Sequence, residues 1–535
     1  MAQNSSNSSS LVHPIISSED PSVFDPRSAL LRQGLKSGDW VHITAIGGTG
    51  MGSLAALLQD LGLKVTGSDG PLYPPMSTFL KERKFLLREG YQPKNLNGAE
   101  WGFQEAHPKL VVIGNAIGRN NAEAMQVEEL KSAGKLKVMS FPEALAEFAI
   151  DQRKSFVVCG THGKTTTTSL FAWALEGLGK KPGFLIGGIP KNFTSGCRVG
   201  QGMAFVSEGD EYDTAYWDKE SKFLHYRPHW VLCTGIEFDH ADIYTDLASI
   251  VSSFKKLVSK TKSGWLLIDK ESAPKSEPVE EVFREIGTTT LKCFRYGFSK
   301  TSEYRLISIQ TEELPWRSGV LGVRLNLKVP ELGEVSFVSP MSGRHNALNA
   351  LGVFATLHSS GELKNVEQFQ KILQSFEGIK RRQEEIFVGP TTCVIDDFAH
   401  HPTAIAETIA GIHARYPDRK LAAFFEARSA TSSRNIFLKE FSESFDEADA
   451  IFLSPPSKTN IPENEKLNVH ELVKLIQERS KNSKQIFLES DITELSKCFV
   501  NWRNQLKENS SNEKIIALVM SNGPFGGIHA LLKDV

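Results

Sequence analysis

The segment Cys159–Thr168, reading CGTHGKTTTT, constrains what this chain can fold into more than any other stretch. An apolar run, Ser155 to Val158, leads into it, and from Ser169 to Leu178 apolar residues recur at helical spacing. The segment therefore occupies the turn between a strand and a helix. Such a turn gathers successive backbone N–H groups at the positive end of a new helix, where a phosphate chain docks. Gly160 and Gly163 let the backbone of Thr161, His162 and their neighbours come close to the phosphates. Lys164 reaches the terminal phosphates, and a hydroxyl from Thr165 or Thr166 is of the type that ligates Mg²⁺. The longer phosphate-loop pattern has a glycine where this chain has Val158.

A loop of this kind needs a parallel sheet around it, and 535 residues are enough for roughly three or four domains. A net charge of -2 argues against a nucleic acid or a membrane surface as the main partner. The six cysteines are scattered, which indicates neither a disulfide framework nor a zinc cluster and fits a reducing cytoplasm. No run is long and apolar enough for a bilayer span. The Ser/Asn-rich start lacks the features of a signal peptide, so residues 1–40 are expected to be a loosely docked extension.

The first domain is expected over residues 41–150. Val41 to Ile46 reads as a strand, followed by a glycine-rich turn containing Gly48, Thr49, Gly50, Met51 and Gly52, then a helix from Leu54 to Leu61. A second strand starts at Leu63 and ends at Ser68-Asp69, an acidic residue about twenty positions after the turn. This is the layout of a dinucleotide site, and taken alone it favours a nicotinamide oxidoreductase. What the turn needs, however, is a diphosphate, which a UDP-sugar also offers, and Asp69 can then accept hydrogen bonds from a ribose or a base. A further strand, Lys109 to Ile113, ends in a small-residue loop containing Asn115.

The central domain, residues 151–378, carries the phosphate loop. Met203 to Val206 is a strand running into Ser207-Glu208-Gly209-Asp210-Glu211, and Trp230 to Thr234 another, ending in Glu237-Phe238-Asp239-His240. Both deliver acidic or imidazole groups to the edge where the Lys164 loop lies, as metal–nucleotide chemistry requires: Glu208 to hold Mg²⁺ and His240 to bind a second ion or orient its water. Lys270 to Glu285 reads as a charged helix or insertion and Val320 to Val329 as a strand, without assigned chemistry. Gly343 opens a helix on which Asn346 and Asn349 share one face, so that two amides can address one planar base edge. In the third domain, residues 379–535, strands ending at Asp396-Asp397, Glu426 and Ser521 alternate with helices.

With these segments assembled, the chain resembles the Mur ligase family of cell-wall peptide synthetases. The residues that carry the likeness are Gly160 to Thr166, Glu208, Glu237 to His240, Gly343 to Asn349, Lys380 to Arg382 and Asp396 to Pro402, in the family's order. The resemblance implies three α/β domains: a Rossmann-like domain for a UDP-sugar, a central ATPase-like domain and a C-terminal Rossmann-like domain that receives a peptide. It implies ATP and Mg²⁺, with Lys164 on the β/γ-phosphates and Thr165, Glu208 and His240 on metal. Asn346 and Asn349 would face adenine, Arg382 and Asp397 would reach the nucleotide from the third domain, and His345 would organise them. UDP-N-acetylmuramate would contact Gly48 to Gly52, Ser68, Asp69 and Asn115. Tyr73 to Ser77, Phe238 to Tyr244 and Phe425 to Ser429 resemble the branch that takes a ready-made diaminopimelate tripeptide, with Arg428 and Ser429 at its carboxylate; the competing expectation is free L-alanine. Two positions depart from the family's pattern: Gly235 stands where it usually has Asn, and Ala430 follows Ser429 where Asn is expected. A cytoplasmic monomer is expected.

Overall fold

The computed structural model describes residues 23–73, 76–115, 117–212, 216, 218, 220–239, 241, 243–244, 246–456, 461–509 and 513–533. His240 lies outside the described residues, as do Pro74, Pro75, Asp242 and the first 22 positions. The chain divides into two compact units, residues 1–153 with 199–203, and residues 154–198 with 204–535.

The first unit is built on strands β1 (Trp40–Thr44), β2 (Lys64–Asp69), β3 (Leu86–Glu89), β4 (Leu110–Ile113) and β5 (Lys137–Ser140). They form one parallel sheet in the order β3-β2-β1-β4-β5. β1 and β4 are near-continuous apolar runs because helices cover both faces of such a sheet. The strand order reverses between β1 and β4, which opens a crevice at their carboxyl ends. The helix expected from Leu54 starts earlier, at Thr49, with Gly48 as its N-cap. Glycines at positions 50 and 52 weaken helix propensity and mask the start in the sequence, while burial of Met51 and Leu54 to Leu58 holds the helix in place. Within the extension, Phe24, Leu30 and Leu35 are buried, and Arg32 pairs with Asp151.

The second unit holds two sheets. The larger comprises β6 (Lys154–Cys159), β7 (Gly183–Leu185), β8 (Cys197–Arg198), β9 (Ala204–Gly209), β10 (Trp230–Cys233), β11 (Gly264–Ile268), β12 (Lys292–Gly297), β13 (Tyr304–Leu314), β14 (Arg317–Val329) and β15 (Gly333–Ser339). Their order is β15-β14-β13-β12-β11-β10-β6-β9-β7-β8. β6 sits between β9 and β10, parallel to both, so the phosphate loop is flanked by the two acidic strand ends. β13 to β15 form an antiparallel extension, and the charged helix expected over 270–285 starts later and ends one residue beyond, at Ser276–Ile286.

The third sheet has β16 (Glu384–Val388), β17 (Thr392–Asp397), β18 (Lys420–Glu426), β19 (Ala450–Ser454), β20 (Gln485–Leu488) and β21 (Ile515–Met520), ordered β16-β17-β21-β18-β19-β20. Only β16 is antiparallel to its neighbour. One face stacks Phe424 on Phe452 and Phe452 on Phe487, with centroids 4.5 and 4.8 Å apart. Truncating the middle ring leaves a cavity its neighbours cannot fill, so Phe452→Ala is expected to destabilise this lobe by about 3–5 kcal/mol. Hydrogen exchange in β18 and β19 measures it, with faster exchange there than in β6.

Candidate active site

The phosphate loop takes its shape from two left-handed glycines. Gly160 has φ 122°, and a Cβ there would lie 2.5 Å from Thr234 Oγ1 and 2.7 Å from the Gly235 carbonyl oxygen. Gly163, φ 78°, caps the helix Lys164–Gly177; a Cβ would come within 2.8 Å of Asn349 Oδ1. No other residue type fits either position without strain. The loop is pinned to the end of β10: the Thr161 N–H donates to the Gly235 carbonyl at 2.9 Å, and Thr234 Oγ1 donates to the His162 carbonyl at 2.5 Å. The helix begins at Lys164 rather than near Ser169, because Thr165, Thr167 and Thr168 are buried in spite of their modest propensity.

Lys164 Nζ lies 2.7 Å from the Gly160 carbonyl and 2.9 and 3.2 Å from the two Glu211 carboxylate oxygens. Burial alone would depress its ammonium, but the Glu211 carboxylate, backed by Asp210 and Glu208, more than offsets this and holds the pKa above its ordinary value. Glu211 is 3 % exposed and was not singled out from the sequence. It lies in the same acidic run as Glu208, and only the end of β9 decides which carboxylate meets the lysine.

Glu208 accepts from Thr165 Oγ1 at 2.8 Å and from the Gly187 N–H at 2.8 Å. Burial raises its pKa, Asp210 adds to the rise, and Lys164 opposes it. Arg382 crosses from the third sheet and places Nη2 3.3 Å from Thr165 Oγ1. Its neighbour in charge is Asp397, which accepts from the Gln383 and Ala399 N–H groups at 2.7 Å each and whose pKa burial raises against the pull of Arg382. Arg381 and Gln383, on either side of Arg382, are both left-handed, with φ 61° and 48°. Phosphate-loop, β9 and third-sheet residues thus meet around Thr165.

A cleft of about 800 Å³ runs from His162, Gly163 and Thr166 past Asn346 and Asn349 to Arg382 and Asp397. The two asparagines are bonded to each other: Asn346 Nδ2 donates to the Ser342 carbonyl at 2.8 Å and Asn349 Nδ2 to Asn346 Oδ1 at 3.3 Å. His345 lies 3.5 Å from Glu407 and from Gln383 Nε2.

Beside this cleft, Glu237 joins the phosphate loop to the third sheet. Its carboxylate is 3.1 Å from His162 Nε2 and accepts from Thr403 Oγ1 at 2.9 Å, and the His162 and His401 rings lie 4.5 Å apart. Burial would raise the Glu237 pKa, but the His162 imidazole beside it outweighs this and brings it below the ordinary carboxylate value. Burial pushes the His401 imidazole down to about 3, so that it is neutral near pH 7.

At the end of β18, Arg428 lies along Gly523, where a Cβ would be 2.3 Å from its Cδ, and its Nη1 is 3.8 Å from Glu426 Oε1. Ser429 is engaged in its own turn, its hydroxyl donating to Ser432 Oγ at 2.8 Å.

In the first unit, Gly48 to Gly52 form the turn and opening of the helix after β1, and Asn115 follows β4 across the crevice. Asp69 accepts from the Gly47 N–H at 2.6 Å and from Tyr91 Oη at 2.7 Å, so it shapes the glycine turn directly. Ser68 is fully buried and gives its hydroxyl to Glu123 at 2.6 Å, because alternation along β2 turns it away from Asp69 and inward.

Comparisons with known proteins agree with this arrangement. Residues 40–153 match the catalytic domain of the Mur ligase family, 158–357 the Mur ligase middle domain and 381–505 the Mur ligase glutamate ligase domain. The chain is 34 % identical over 500 residues, 92 % of this chain and 97 % of its relative, to UDP-N-acetylmuramate--L-alanyl-gamma-D-glutamyl-meso-2,6-diaminoheptandioate ligase of Escherichia coli K12. It is similar in structure to a murein peptide ligase of Psychrobacter arcticus, with TM-score 0.61, 31 % identity, and coverage of 93 % of this chain and 99 % of the other. The UDP-N-acetylmuramate-alanine ligase of Thermotoga maritima shares the fold, with TM-score 0.68 at 20 % identity over 92 % of this chain and 98 % of that one. With domain matches in order along most of its length and a bacterial relative aligned nearly end to end, the chain belongs to the Mur ligase family of ATP-dependent, amide-forming ligases.

Proposed function

We propose that this chain joins the tripeptide L-Ala-γ-D-Glu-meso-diaminopimelate to UDP-N-acetylmuramate at the expense of ATP, returning wall peptide to synthesis in the cytoplasm. The observation that carries the ligase chemistry is the meeting of Glu208 and Arg382 at Thr165 Oγ1, with the Lys164 ammonium held beside the same acidic strand end. The names of the E. coli and P. arcticus relatives support the choice of peptide.

In this reading the lactyl carboxylate attacks the γ-phosphate of ATP in line, giving an acyl phosphate and ADP. The peptide amine then attacks the acyl carbon, and phosphate leaves. Lys164 moves from Glu211 to the β/γ-phosphates, and Arg382 adds a second cation from the third sheet. Preorganised charge of this kind supplies most of the acceleration in phosphoryl transfer. The Thr165 hydroxyl and Glu208 carboxylate are hard oxygen donors on adjacent elements, which fits Mg²⁺. When bound there, Mg²⁺ neutralises charge on the phosphates; His240 is proposed as a further ligand. Asn346, Asn349, His345 and Asp397 are assigned to the nucleotide, Gly48 to Gly52, Asp69 and Asn115 to the UDP-sugar, and Arg428 to a peptide carboxylate by bidentate pairing. The corresponding domains are residues 41–150, 151–378 and 379–535, acting as a monomer.

The test is phosphate release from Mg-ATP and UDP-N-acetylmuramate with L-alanine in one tube and the tripeptide in another. Release with the tripeptide alone is expected. Release with alanine alone would move the chain to the biosynthetic branch.

A further inference from the structure

We propose that His162, Glu237 and His401 form a binding site for a transition-metal ion of the Zn²⁺ type, separate from the Thr165–Glu208 pair, that fastens the phosphate loop to the start of the helix Pro402–Arg415. One ligand atom from each of the three residues lies within 4.8 Å of the other two. Glu237 is 4 % and His401 6 % exposed.

What sets the cluster apart from an ordinary ion pair is its hydrogen bonding. His162 Nε2, Glu237 Oε1 and His401 Nε2 are all buried, and none of the three makes a hydrogen bond. His162 Nε2 is only 3.1 Å from Glu237 Oε1, close enough but misaligned. Buried polar atoms without partners are rare in folded proteins, and three in one place call for a shared partner. All three lie within 4.8 Å of one another, a spacing that one bound ion can bridge.

The donor set decides which ion fits. Two imidazole nitrogens and one carboxylate oxygen are a zinc-type set with an open fourth position, whereas Mg²⁺ takes oxygens in octahedral geometry. The remaining Glu237 oxygen is oriented by Thr403 Oγ1 at 2.9 Å, an outer-shell bond of the sort that fixes metal-binding carboxylates. The Glu237 N–H is itself held by Thr161 Oγ1 at 2.8 Å, so backbone and side chain are both anchored. His401 accepts from the Thr403 N–H through Nδ1 at 3.3 Å, a long contact. Ligation through Nε2 moves the ring proton to Nδ1 and gives that contact up.

His162 belongs to the phosphate loop and His401 to the third sheet's first helix, so an ion held by both ties the lobes together and resists their separation. Product release requires that separation if the lobes close on substrate, and the ion would then inhibit turnover reversibly.

The experiment uses the full chain, stripped with a chelator and titrated with Co²⁺ alone, without nucleotide, so that its outcome is independent of the ligase reading. The expected result is one Co²⁺ per chain with the visible bands of tetrahedral coordination, displaced by Zn²⁺ but not by excess Mg²⁺. Glu237→Gln and His401→Gln are expected to abolish the bands. Thr403→Val, which leaves all three ligands in place, should weaken Co²⁺ about 10–100-fold; it carries the test if either ligand variant fails to fold by circular dichroism. Absence of the bands, bands with sulfur charge transfer, or bands unchanged in all three variants would overturn the site.

Discussion

Lys164→Ala is expected to lower tripeptide-dependent phosphate release by about 10³-fold or more, the scale on which a cation at a transferring phosphoryl group acts. Two effects add. The terminal phosphates lose their side-chain cation, and Glu211, buried and 2.9 Å from the ammonium in the wild type, loses its lysine. Removing one member of a buried ion pair is destabilising, so the variant should also unfold at lower denaturant. Lys164→Arg separates the two: it keeps a cation for Glu211 and restores stability, but its planar fork does not fit a loop built around a point charge. Activity restored to the wild-type rate by Ala would remove Lys164 from the phosphate site.

Glu208→Gln should be nearly as damaging, by about 10²–10³-fold in the rate at fixed Mg²⁺. The amide keeps the length of the side chain and one acceptor oxygen for Thr165 or Gly187, so the loop should hold its shape while the anionic metal donor is gone. The diagnostic readout is the Mg²⁺ titration, which is expected to shift to much higher concentration with ATP affinity less affected. Acid should mimic the substitution. Because burial holds the Glu208 pKa above its ordinary value, protonation sets in at higher pH than for a surface glutamate, and Mg²⁺ affinity falls from that point downward. A Mg²⁺ titration identical to wild type would move the ion elsewhere.

The phosphate loop was legible in the sequence because its chemistry is contiguous. Glycines, lysine and threonines within a few positions can serve little else, and the flanking apolar runs give strand and helix. Glu208 was legible for a related reason, as a carboxylate at the end of an apolar strand. The identity of the lysine's resting partner was not, since Glu208, Asp210 and Glu211 look alike until β9 sets which one points to β6. The bond from Ser68 to Glu123 was not legible on the same ground: neighbouring strand residues face opposite sides, and the sequence does not state which side is inward. Glu237 and Thr403 are 166 positions apart and meet only after two sheets have formed. The antiparallel extension β13 to β15 carries clear alternation, but nothing in it announces a place at the edge of the ten-stranded sheet.

The short passage around Arg382 sets a rule for anyone recombining these ligases. Up to Lys380 the chain is stitched to the central lobe: Ile379 bridges Pro190, and the Lys380 N–H donates to the Ile189 carbonyl at 3.0 Å. From Arg381 onward it is stitched to the third, through the Glu384 carboxylate and the Ser521 and Gly523 carbonyls. The allegiance of the backbone changes across a single peptide bond. A chimera that exchanges the peptide-accepting module should therefore be spliced between Lys380 and Arg381, so that the left-handed turns at 381 and 383 travel with the lobe that holds them in shape.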